Sequence, residues 1–323
     1  METFLFNPQQ FKRLYGCSMI PHAEWCQLGT IKTRSGLFTI GFGLFLLAFY
    51  MPVLLIMTKQ KYLQHSCYRI MLFLGVQEVM FLTVITLNQG YFLIQGCMFC
   101  CLPTLTYISG AALSALWSSS EVTCALLALN RIVDIAGYDK IGRLFKDQRI
   151  FLWFLMPAAS FGYFFMFNPP ILSNSRLGGS YSPYAGLNDT RIPKIPYSEY
   201  ANKTLMIHDF TVTALISVLY VVLIGVTFWK LKARDDRTFR VAKIVIVLQS
   251  CLIIGLVYTA NIVFFTIPQH LSGIIVYLCQ GASGFGGIIY ICCNRELRSD
   301  FIGLGKRKKH SAVTCVVRQQ SSA

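Results

Sequence analysis

Residues 126–135 read LLALNRIVDI, and three of them carry polar chemistry: Asn130, Arg131 and Asp134. Arg131 and Asp134 stand three apart, which on a helix brings a guanidinium and a carboxylate to one face. Such an ion pair can hold one arrangement of helices and change partners in another. An arginine at a helix end can equally be a positive anchor whose head reaches water. Further back on the same stretch, Ser114, Trp117 and Glu121 supply a hydroxyl, an indole and a carboxylic acid at about one-turn spacing. They suit a mostly apolar pocket with a few polar groups, the usual form of a small-molecule site. Glu78 and Tyr290 are two more polar groups set in apolar sequence.

The elements that must position these residues are membrane helices. The chain has 323 residues, of which 54% are hydrophobic and only 13% charged. A soluble chain carries about a quarter charged residues. Apolar runs near residues 36–57, 70–94, 101–129, 150–167, 210–229, 244–267 and 271–293 are each about long enough to cross a bilayer. They are too continuous for barrel strands, which alternate. The expected fold is therefore an all-α membrane protein, a seven-transmembrane helix bundle. Glu78 and Glu121 then become acids inside spans, which face a bundle interior and mark function by default.

The net charge of +15 fits this reading. It does not point to nucleic acid, because no polar domain carries a basic stripe. Lys12, Arg13, Lys32, Arg34, Arg176, Arg191, Lys194 and Lys203 fall on the side of the N-terminus, and the other 21 of the 29 basic residues fall opposite. The positive-inside rule places the N-terminus outside and the C-terminus in the cytosol. Residues 1–35 lack the apolar core of a signal peptide, so helix one is expected to be an uncleaved signal-anchor. Glycosylation triplets at Asn188 and Asn202 both lie on the outer side of this topology.

Catalysis finds no support. Histidines 22, 65, 208, 270 and 310 fall in loops, tails or helix edges, and the spans hold no paired carboxylates, metal-ligand spacing or serine–histidine set. No metal or cofactor is expected. A small-solute transporter is the alternative, but no repeat relates the first three helices to the last three.

Several stretches resemble the nematode serpentine receptor class T chemoreceptors, a family of seven-helix, G-protein-coupled-receptor-like proteins. They are YGC at 15–17 with EW at 24–25, FYMPVLLIM at 49–57 and SCYRIMLFLG at 66–75. GCMFCCLPTLTYISG at 96–110 follows, then Trp117 and LALNR at 127–131. FNPPIL at 167–172 and IIYICCNRELR at 288–298 complete the order. The resemblance implies a small-molecule receptor that signals through a heterotrimeric G protein, in the plasma membrane and in sensory neurons, where cilia are the expected site. It also implies switch roles for Asn130, Arg131, Asp134 and Tyr290. Three positions depart from the pattern. Glu78 stands where aspartate is usual, and is expected to bond across to helix three or seven. GFGGIIY at 284–290 lacks the proline expected before Tyr290. Arg131 lacks a preceding acid, leaving Asp134 the nearest substitute.

The loop between helices four and five contains no cysteine, so a bridge from helix three to it is impossible. Cys17, Cys26, Cys97, Cys100 and Cys101 remain on the outer side, and Cys17 with Cys100 is the pairing expected, although spacing does not fix connectivity. Cys292, Cys293 and Cys315 are candidates for palmitoylation, and Ser311, Thr314, Ser321 and Ser322 for phosphorylation. Leu297, Phe301 and Leu304 recur at helical spacing, which predicts a short amphipathic helix on the inner leaflet, with the KRKK at 306–309 against anionic lipid. The chain thus divides into an extracellular segment (1–35), a seven-transmembrane domain (36–293) and a cytosolic helix and basic tail (294–323).

Overall fold

The structure, a computed structural model, describes residues 1–137, 139–145, 147–231 and 272–303. Five helices are long and apolar enough to cross a membrane: Thr33–Met57, Ser66–Gln95, Pro103–Ala136, Ile150–Phe167 and Lys203–Trp229, the last running on to Leu231. These are helices one to five. Helix seven, Ser272–Cys293, meets the short helix Arg295–Gly303 at a bend of 88°, and the pair counts as up to a sixth span. The sixth apolar run at 244–267 lies outside the described residues. So do the basic loop at 232–243, Leu304, the KRKK at 306–309, Cys315 and the serines and threonine of the tail.

Burial ranks the helices. In its most apolar window helix three is 67% buried and helix four 17%, so helix three is the axis and helix four the rim. Leu37, Phe38 and Phe45 of helix one, Phe151, Leu152 and Leu155 of helix four, and Val218 and Val221 of helix five are exposed. An apolar belt of that extent suits lipid rather than water.

Two ends differ from the sequence reading. Helix three does not stop at Arg131. Ile132, Val133 and Ile135 continue its apolar stripe, and it ends at Gly137, whose φ of +70° lets its N–H close on Val133 O. That left-handed stop favours glycine. Helix five begins seven residues before Phe210. Asn202 caps it, with Oδ1 accepting from Leu205 N at 2.9 Å.

Helices also approach through glycine. A Cβ added at Gly287 would lie 2.8 Å from Tyr50 Cα, and one at Gly284 would lie 2.5 Å from Leu46 Cδ1. The GFGG stretch therefore seats helix seven on helix one, a small-residue contact of the kind that drives helix association in lipid.

One end of the bundle is lidded. Residues 1–32 and an antiparallel hairpin, Leu172–Asn174 paired with Gly178–Ser180, lie across it. The hairpin turn is held by Asn174 Oδ1, which accepts from Arg176 N at 2.8 Å. Met1 reaches helix four, where its ammonium donates to Phe165 O and Met166 O at 3.2 and 2.9 Å. A positive charge at those last carbonyls is favourable. At the opposite end Asn294 Oδ1 accepts from Glu296 N and Leu297 N and starts the short helix, which buries Leu297 completely.

Candidate functional site

Under the lid, Phe81 and Ile85 of helix two, Trp117 of helix three, Asp209 of helix five, Val276 of helix seven and Gly178 of the hairpin line a cavity. It offers about 80 Å³ to the centre of a water-sized body. One water needs roughly 10–15 Å³ on that measure, so a small organic molecule has room. Its walls are mainly apolar; Gln89, Ser173 and Asp209 are the polar side chains. A second cavity, between helices one, two and seven, shares Gln89, Gly178 and Val276 with the first and adds Lys32 and Arg176 at its rim.

Trp117 lies on the cavity wall, its ring 5.6 Å from that of Phe81. Ser114 does not reach the cavity. It is fully buried and its hydroxyl donates to Gly110 O, one turn back on its own helix, at 3.2 Å. Glu121, 4% exposed, sits beside helix five. There His208 Nδ1 lies 3.6 Å from its Oε2 and 3.3 Å from Asp209 Oδ1.

This trio was not foreseen, because helix five was expected to start at Phe210, which left His208 and Asp209 in a loop. The absence of paired carboxylates in the spans is overturned: one donor atom from each of the three lies within 4.8 Å of the others. The signal available in the sequence was Asn202 as a cap. Asn202 is correspondingly a poor glycan acceptor. It is 3% exposed and its Nδ2 donates to Pro169 O at 3.1 Å, which leaves no room for a sugar. Asn188 is exposed.

The lid is stitched on. A disulfide joins Cys17 to Cys100, with Cα atoms 5.6 Å apart. Trp25 Nε1 donates to Cys17 O at 2.9 Å, and Tyr200 Oη to Leu14 O at 2.9 Å. Phe4, Phe11 and Tyr15 ring Tyr107 at centroid distances of 5.1–5.5 Å. Burial pushes the Cys101 thiol up to about 12 and raises that of Cys97. Neither neighbour therefore supplies the thiolate that would attack the bridge.

The expected switch residues lie at the opposite end. Arg131 is partly buried, with its guanidinium 3.9 Å from Met71 Sδ. Asp134 is exposed at the surface of helix three, one turn beyond Arg131. The helix runs past both residues, so Asp134 stays on its outer surface while Arg131 faces helix two. Asn130 is fully buried, and its Nδ2 donates to Ser66 Oγ at 3.0 Å. Tyr290 is already turned into the core, its ring 6.4 Å from that of Tyr50. Glu78 was expected to bond across to helix three or seven; among the described residues its hydrogen-bond partner is instead on helix one, where the Tyr50 hydroxyl donates to its carboxylate. Gln77, one position back, makes the link to helix three instead, through Ser119 and Thr123 at 2.7 and 2.9 Å.

Comparison with known proteins agrees with this architecture. Residues 1–313 match the family described as "Serpentine type 7TM GPCR chemoreceptor Srt". The chain is 26% identical over 301 residues to serpentine receptor class T-55 of Caenorhabditis elegans, covering 90% of this chain and 80% of that protein. A lidded bundle of apolar helices, a cavity beneath the lid and a match along almost the whole length lead to one conclusion: the chain is a multi-pass membrane protein that belongs to the serpentine class T chemoreceptor family.

Proposed function

We propose that the chain is a chemosensory G-protein-coupled receptor of the plasma membrane, in sensory neurons and their cilia. In this reading the lidded end faces outside, the Arg295–Gly303 helix lies on the cytosolic leaflet, and a small molecule enters from the lidded end. The observation that carries the reading is the cavity under the lid, apolar-walled with Gln89, Ser173 and Asp209 as its polar side chains. Family membership supports the same class of activity.

A ligand that binds one arrangement of the helices more tightly shifts the population toward it. Trp117 and Asp209 on the cavity wall are the contacts best placed to make that difference. Helix three runs unbroken from the cavity to Arg131 and Asn130, so a tilt at one end moves the other. Arg131, bedded against sulfur, and Asn130, bonded to Ser66, are the groups expected to change partners as a cytosolic site for the heterotrimeric G protein opens.

The test is nucleotide exchange on purified heterotrimeric G proteins, with membranes carrying the chain and pools of volatile and water-soluble odorants. Exchange driven by a pool, lost in Arg131→Ala and right-shifted in Trp117→Ala, is the expected result. Exchange that is indifferent to both substitutions would overturn this assignment of roles.

A further inference from the structure

We infer that Glu121, His208 and Asp209 form a binding site for a divalent transition-metal ion of the zinc class, set between helices three and five and adjoining the cavity through Asp209. The geometry is the first ground. An ion with bonds of about 2.0–2.2 Å and tetrahedral angles holds its ligands roughly 3.4 Å apart. His208 Nδ1 lies 3.3 Å from Asp209 Oδ1 and 3.6 Å from Glu121 Oε2. All three donor atoms fall within 4.8 Å of one another. The side chains therefore need little rearrangement to close on an ion.

The donor set is the second ground. One imidazole nitrogen with two carboxylate oxygens suits zinc or copper, whereas magnesium and calcium take oxygen alone. The Phe164 ring stands edge-on to His208 at 4.8 Å and fixes the imidazole plane. A fixed plane is what a metal-binding histidine requires of its surroundings.

Burial is the third. Glu121 is 4% and Asp209 6% exposed in the side chain, and His208 17%. Two carboxyl groups and an imidazole are thus buried together, largely away from water. Buried polar groups need partners, and one divalent ion would serve all three donor atoms. Asp209 also lines the cavity, so the site adjoins the space beneath the lid. The ion would tie helix three to helix five, the two helices that meet at this level.

The experiment uses the full chain purified in detergent, with accessible thiols first blocked by N-ethylmaleimide so that Cys26 does not compete. Zinc and magnesium are titrated separately by calorimetry. The expected result is one saturable equivalent of zinc and none of magnesium. Glu121→Gln, which keeps the side-chain shape, and His208→Ala should each weaken zinc binding by at least about 100-fold, more than the 10–100-fold typical of losing an outer partner. Cobalt(II) on the unsubstituted chain should give the visible absorption of a tetrahedral site, and zinc should bleach it. That readout stands even where a variant fails to fold. Absence of saturable zinc uptake by the unsubstituted chain, or uptake unchanged in both variants, overturns the site. Neither readout involves a G protein, so a failure here leaves the receptor reading standing, and the reverse also holds.

Discussion

At the lidded end, residues 1–32 are held over the bundle by a covalent bridge, an aromatic cluster and hydrogen bonds to backbone carbonyls. At the opposite end, the helices close on one another. Tyr50, Leu74, Leu127 and Tyr290 pack in one core, and Glu78 and Asn130 each bond to a neighbouring helix. The first end is an added cover with a cavity beneath it; the second is a packed seam that seats the short helix by its buried Leu297. The contrast matches two tasks. A cover can exclude water from a ligand without helices moving, whereas a packed seam can open only by moving them. Evidence against the contrast would be a lid that contributes nothing to stability, or a seam that tolerates bulk.

The largest effect should come from the bridge. Cys17→Ser or Cys100→Ser releases a cross-link between residues 83 apart. Removing a native disulfide typically costs about 2–5 kcal/mol. Thermal unfolding in detergent should fall accordingly, and limited proteolysis should cut within residues 1–32 while helices one to five stay intact. Unchanged melting would mean that the aromatic cluster and the hydrogen bonds to backbone carbonyls hold the lid without it.

The seam should resist added volume. Gly287→Val places a Cβ 2.8 Å from the Tyr50 backbone, whereas Gly41 has nothing within 4 Å of such an atom. Overpacking costs about 1–3 kcal/mol. Gly287→Val should therefore destabilise by that amount and Gly41→Ala should not, as read by the same melting assay. If both behave alike, helix seven is not seated as described.

A smaller loss is expected at Glu78. Tyr50→Phe keeps the ring and removes the hydroxyl that donates to this carboxylate. Interhelical hydrogen bonds in membranes average about 0.6 kcal/mol and reach about 1.7. Tyr50→Phe should fall in that interval, below Gly287→Val. A larger loss would mark the pair as a central brace of the seam.

Much of the architecture was legible in the sequence because lipid imposes a simple rule: a run of about 20 apolar residues spans. The apolar runs at 36–57, 70–94 and 150–167 needed little correction. The rule fails where polar residues continue a helix. Lys203, His208 and Asp209 made the first turns of helix five look like loop, and Asn202 read as a glycan acceptor rather than the cap it is. Arg131 looked like a helix end for the same reason, although Gly137 was the stronger stop signal. Trp117, expected at a ligand site from its place on helix three, lies on the cavity wall. Ser114, named with it, is bonded back to its own helix, and spacing does not tell which side of a helix faces a cavity. The partners of Glu78 and Asn130 are set by tertiary packing across 28 and 64 residues, beyond the reach of local pattern.

The smallest expected effect concerns the short helix at the foot of the seam. Lys59 and Lys61 lie 2.8 and 3.0 Å from Asp300. Their hydrogen bonds hold its carboxyl down at about 2, below the usual value near 3.9. A lowered folded-state value means stability that is complete above the unfolded value and lost as pH falls through the folded one. The docking of Arg295–Gly303 should therefore be insensitive to pH above about 5 and weaken between about 4 and about 2. Hydrogen exchange of its amides would follow that transition. Asp300→Asn should abolish it, and raised salt should shrink it, since these charges are open to solvent and screened. A transition of equal size in Asp300→Asn would assign the acid sensitivity to another carboxyl, and would leave the docking of the short helix to Leu297, Phe301 and the Asn294–Tyr68 hydrogen bond.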